Sequence, residues 1–93
     1  MRTIETNMNA AIKEGRNWRA GNTSVTFENN EVQVRLHGNL IAVRDAAGVW
    51  RYSLAGWNTT TTRSRLNALG CNVTQKNFTP LRDGREWWSD FAR

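Results

Sequence analysis

Apolar side chains recur at Ile4, Met8, Ala11 and Ile12, the spacing of one helix face, and predict a first helix from about Ile4 to Glu14. Thr3 is its expected N-cap, and Gly15 falls where a left-handed residue ends such a helix. After a connection from Arg16 to Asn22 the period drops to two. Val25 and Phe27, then Val32, Val34 and Leu36, alternate with polar residues as half-buried strands do. Asn29-Asn30 between these runs is a hairpin turn, because Asn tolerates positive φ. Gly38-Asn39 repeats the signal before a third strand, Leu40 to Arg44, and Ala46 to Gly48 precedes a fourth, Val49 to Leu54.

Gly56-Trp57 ends the sheet. Asn58 or a following Thr caps a second helix, Thr60 to Leu69, closed by Gly70 and docked through Leu66 and Leu69. Val73 to Gln75 and Phe78 read as extended pieces, and Asp83-Gly84 is a turn setting Arg82 opposite Arg85. The expected class is α+β: a four-stranded antiparallel meander, an N-terminal helix and a second helix packed on one face, and a short C-terminal extended segment or hairpin. Residues 1–93 form a single domain in this reading.

Composition narrows the chemistry. The chain has 93 residues, 39% of them hydrophobic, with five Trp, enough for one packed core. One cysteine, Cys71, and one histidine, His37, leave no intramolecular disulfide and no zinc-ligand set, so no metal and no cofactor is expected. No apolar run approaches the ~20 residues of a membrane span, and the N-terminus lacks a signal-peptide pattern, so no membrane partner is expected and the cytoplasm is the expected address.

Net charge is +5, and eleven of the thirteen basic residues are Arg. Guanidinium groups pair bidentately with phosphate and stack on aromatic faces, although a GC-rich genome gives the same bias. The most informative stretch runs from Trp57 through Thr60, Thr61, Thr62, Arg63 and Arg65: a helix start ringed by hydroxyls and two arginines, the makeup of a phosphate site. The competing reading is a capped helix with a solvated Arg pair. No acidic residue lies between Asp45 and Asp83, whereas Arg51, Arg63, Arg65, Lys76 and Arg82 do, so a positive field covers this half. Trp50, Tyr52 and Trp57 would supply stacking surfaces, but three large side chains on one strand face also describe a core, which is the expectation for Trp50.

Trp87 and Trp88 cannot both point inward on a strand, so either the two pack on the two sides of a terminal flap or one is exposed. With Arg85 and Phe91 it would form a protein interface or a homodimer contact. Catalytic signals are thin: His37 reads as a turn residue, and Glu5, Glu14, Glu28 and Glu31 form no convincing acid–base pair. A binding module, not an enzyme, is expected.

Leu36 to Ala42, together with Gly56 through Leu69, resembles a family of short hypothetical proteins of tailed bacteriophages. The resemblance covers the middle third to half of the chain and carries no assigned activity. It implies a phage accessory protein made in the host bacterial cytoplasm. Two functions fit: a nucleic-acid-binding module contacting DNA or RNA through Thr60, Thr61, Thr62, Arg63 and Arg65, with Arg51 and Lys76 widening the patch; or an inhibitor or adaptor that binds a host protein, such as a defence protein, through Arg85, Trp87, Trp88 and Phe91.

Overall fold

The alternation read from the sequence becomes a meander of five strands, not four. A computed structural model describes residues 2–91. Its elements are α1 (Thr3–Glu14), β1 (Trp18–Ala20), β2 (Thr23–Glu28), β3 (Glu31–Leu36), β4 (Asn39–Arg44), β5 (Trp50–Tyr52), α2 (Thr60–Leu69), β6 (Val73–Lys76), β7 (Thr79–Arg82) and β8 (Arg85–Glu86). Strands β1 to β5 pair in chain order as one antiparallel sheet, and β6 to β8 form a second. The added strand, β1, lies in the stretch expected to be a connection. Three residues at a sheet edge are too few for alternation to register, and its Gly21-Asn22 turn was the available signal.

Turn chemistry sets the register. Asn29 and Asn30 both take positive φ, as do Asn77-Phe78 and Asp83-Gly84 at the hairpins of the small sheet. The turn between β3 and β4 is His37-Gly38, one residue earlier than Gly38-Asn39, with His37 at φ 53°. A bulge in β4 lets Ile41 and Ala42 both enter the core: Val34 pairs with Ala42, but Arg35 pairs with Leu40. Asp45 accepts the N–H groups of Ala47 and Val49 and closes the next turn, which leaves Val49 exposed and shortens β5 to Trp50–Tyr52.

Both helices cover one face of the large sheet. Met8 from α1 and Leu66 from α2 join Val25, Val34, Ile41 and Leu54 in one continuous cluster. Burying such side chains stabilises the fold by roughly 1.5–3 kcal/mol each. Helix α1 begins at Thr3, so the cap lies one residue before the expected one: Arg2 is the extended cap residue, and its N–H donates to Glu5 Oε1 at 3.4 Å. Helix α2 has the expected limits, with Thr59 Oγ1 accepting the Thr62 N–H at 3.1 Å and Gly70 at φ 108°. Among the described residues no helix is long and apolar enough to cross a membrane.

The C-terminal segment ties the two sheets together. Trp87 N–H donates to Pro80 O at 3.0 Å, Leu54 N–H to Trp88 O at 2.9 Å, and Asp90 N–H to Tyr52 O at 2.7 Å. One stretch of chain therefore extends the β7–β8 hairpin and then edges β5.

Candidate nucleic-acid interface

The residues expected to form a phosphate site at the start of α2 do not converge. Thr62, Arg65, Leu66 and Leu69 are spaced i, i+3, i+4 and i+7, so they share the face that meets the sheet and α1. Arg65 is 3% exposed and its Nη1 donates to Glu5 Oε2 at 2.7 Å. Its Nε donates to Thr23 Oγ1 at 2.9 Å, and Ser64 Oγ donates to the same Glu5 oxygen at 2.5 Å. Arg65 is thus an internal tie between α2, α1 and β2, and the expectation that it contacts phosphate is corrected. Burial pushes the Glu5 carboxyl up, but the bonds from Ser64, Arg65 and the Arg2 backbone, with the Arg65 charge, outweigh it and hold it below the ordinary range.

The other predicted ligands scatter. Thr62 is buried, its hydroxyl 2.8 Å from Thr59 Oγ1. Arg63 Nη1 donates to Asn58 Oδ1 and, at 3.2 Å, to Gln75 Oε1, which fastens α2 to the small sheet. Thr60 is exposed, Thr61 is half-buried, and Lys76 is exposed on β6. Arg51 lies on the far face of the large sheet.

The C-terminal cluster is a clasp. Arg82 Cζ sits 5.1 Å from the Tyr52 ring centroid and 5.3 Å from that of Trp87. Asp90 accepts from Tyr52 N–H at 2.9 Å, Arg82 Nη1 at 2.8 Å and Trp87 Nε1 at 2.8 Å. Burial pushes the Asp90 carboxyl up, but these three donors and the Arg82 charge outweigh it and hold it low. Trp87 is therefore engaged internally. Trp88 is 43% exposed beside exposed Arg85, and Phe91 is half-buried. Of the expected protein-binding group, Arg85 and Trp88 face outward.

The uncovered face of the large sheet carries the arrangement that sequence reasoning missed. Directly paired residues share a face, and the register gives two outward rows: Arg19, Ser24, Arg35, Leu40, and Thr26, Gln33, Val43, Arg51. The row between them, Trp18, Val25, Val34, Ala42 and Tyr52, points into the core. Arginines thus project from β1, β3 and β5. The ion pairs among the described residues are Glu14–Arg16, Glu5–Arg65 and Asp90–Arg82, so Arg19, Arg35 and Arg51 keep their charges unpaired. Glu28 and Glu31 share this face four residues along the strands, roughly 13 Å from the Arg19–Ser24–Arg35 row, and two residues from Thr26 and Gln33, whose Nε2 donates to Glu31 Oε1 at 3.5 Å.

Arg19 and Arg35 line one polar cleft of about 470 Å³ with Asn22, Ser24, His37 and Gly38 and no acidic residue. On the other side of His37 an apolar cleft of about 400 Å³ has Leu36, Ile41 and Leu54 in its walls and Trp57 and Thr61 at its edge. The two clefts share His37. Cys71 is remote from this chemistry in kind: burial pushes its thiol up to about 11, so it stays protonated and unreactive at neutral pH.

A family model described as Kyanoviridae Gp96 protein matches residues 1–92, and the chain belongs to that family. These are proteins of tailed phages that infect cyanobacteria, in keeping with the resemblance carried by Leu36–Ala42 and Gly56–Leu69. No curated protein and no solved structure matches the chain.

Proposed function

We propose that this phage protein is a non-enzymatic nucleic-acid-binding module that acts in the host bacterial cytoplasm through the uncovered face of its five-stranded sheet. Arg19, Arg35 and Arg51 hold phosphates, and Ser24 and Thr26 add hydrogen bonds between them. The observation that supports this is three unpaired guanidinium groups on one face, with no carboxylate in the Arg19–Arg35 cleft. Cations on β1, β3 and β5 of one sheet face, Arg19 and Arg35 in one row and Arg51 in the next, suit a phosphodiester chain crossing the strands, whose contacts come mainly from Arg, Lys and hydroxyl groups. Arg51 keeps the role expected from the sequence. Arg63 and Arg65 yield theirs to Arg19 and Arg35.

The test is fluorescence anisotropy of labelled single-stranded DNA, duplex DNA and RNA at two salt concentrations. The expected result is binding that weakens steeply with salt and is lost in an Arg19→Ala, Arg35→Ala, Arg51→Ala variant. Absence of binding by all three nucleic acids at low ionic strength would overturn the reading. A bacterial protein recovered in stoichiometric amount after nuclease treatment, and lost on Trp88→Ala, would favour the inhibitor or adaptor reading in its place.

A further inference from the structure

Resting on that reading, we infer that the nucleic acid is single-stranded, with one unpaired base seated in the apolar cleft beside Trp57 while Arg19 and Arg35 hold a neighbouring phosphate. The polar and apolar clefts meet at His37, which sits in a tight turn at φ 53° with its N–H bonded to Asn22 O at 2.8 Å. The polar cleft opens on the uncovered face and the apolar cleft on the helix side of the same turn, so a chain rounding His37 meets a site for phosphate and then a site for an apolar planar group, the two halves of a nucleotide. The apolar cleft, at about 400 Å³, falls in the size range of small-molecule sites, with buried Ile41 and Leu54 behind it and Thr59, Thr61 and Asn39 as polar groups at its rim.

Trp57 is 60% exposed, yet its backbone is fixed on both sides. Its N–H donates to Leu54 O at 2.8 Å, and its carbonyl accepts the Thr59 N–H at 3.0 Å. The preceding Ala55 stands at φ 53°, a conformation a side chain with a Cβ adopts at a cost, and Gly56 at 83°. A large aromatic is thus presented to solvent by a defined turn at the mouth of an apolar cleft. Its occupant must bring a flat π-face and arrive on an anionic chain, which the adjoining arginines select by charge. A duplex keeps its base faces stacked inside and cannot offer one, whereas a single strand can.

The experiment compares one labelled sequence as a single strand, as a duplex, and as a single strand with abasic positions, against the wild type and Trp57→Ala. Far-UV circular dichroism checks that the exposed-site variant folds. The single strand is expected to bind about tenfold or more tightly than the duplex or the abasic strand. Trp57→Ala is expected to remove that preference, with an affinity loss of about tenfold, the worth of one stacked base, and an unchanged salt dependence. Equal or tighter binding of the duplex, or an unaffected single-strand affinity in Trp57→Ala, would overturn the single-strand inference and leave the nucleic-acid reading standing. No binding by any form, at low salt, would overturn both.

Discussion

Replacing Arg65 with methionine separates an internal tie from a surface cation. In the wild type the Arg65 and Glu5 side chains are 4% and 3% exposed and their charged groups 2.7 Å apart, with Thr23 and Ser64 completing the set. Methionine fills much of the same space but leaves Glu5 buried without its counter-charge. Removing one partner of a buried pair costs about 3–5 kcal/mol, against a total stability of about 5–15 kcal/mol for a small domain. At about 4 °C or more per kcal/mol for a domain of this size, the melting temperature should fall by at least about 12 °C. Arg65→Met with Glu5→Leu should be less destabilised than Arg65→Met alone, because no charge is then stranded. Thermal and urea unfolding of the wild type, the two single variants and the double variant give the coupling directly. A loss below about 1 kcal/mol in Arg65→Met, the behaviour of a solvated helix arginine, would refute this assignment.

The same pair sets part of the acid sensitivity. The Glu5 carboxyl is lower in the folded chain than in the unfolded one, so its contribution is present above the ordinary carboxylate range and is lost as pH falls through the lowered folded value. Stability of Glu5→Gln should therefore depend less on pH across the acid range than that of the wild type.

Other consequences are as specific. Asp90→Ala removes the acceptor of three hydrogen bonds and should cost about 1–2 kcal/mol, with the amides of Tyr52 and Leu54 exchanging faster and Trp87 emission moving towards that of a solvated indole; unchanged exchange at Leu54 would sink the clasp. Cys71 should resist thiol reagents at neutral pH until the chain unfolds, since its thiol is 2% exposed and raised to about 11; labelling at the rate of a free thiol would contradict this. Phe78 is 89% exposed at φ 65° in the second position of a hairpin turn that favours glycine, so Phe78→Gly should stabilise the chain by about 1 kcal/mol, and a lowered melting temperature would argue against that turn.

The legible parts of the fold were those whose local chemistry repeats the global answer. Thr59 and Gly70 punctuate α2, and Asn29-Asn30 joins two strands whose alternation admits one register. Strand β1 was not legible because Trp18–Ala20 is too short to show a period, and Val49 failed as a strand residue because Asp45 captures its N–H. In the candidate site, Arg63 and Arg65 were read as a pair although residues two apart on a helix face different ways. A usable signal was present: Arg65 falls within the inward spacing of Thr62, Leu66 and Leu69, and Glu5 within that of Met8 and Ile12. One basic and one acidic residue, each on the buried face of a different helix, mark an internal ion pair. Arg19 and Arg35 escaped notice because outward strand positions say nothing of one another until the pairing of β1, β2 and β3 brings them to one cleft.

The salt dependence of single-strand binding tests the sheet-face interface most directly. Each phosphate neutralised contributes about −0.7 to the slope of log affinity against log salt, so contacts from Arg19, Arg35 and Arg51 should give about −2. Arg19→Gln with Arg35→Gln should reduce the steepness by about 1.4, whereas Arg63→Gln should leave it unchanged. A slope insensitive to Arg19 and Arg35, or one that changes only with Arg63, would contradict an interface on the uncovered face of the sheet.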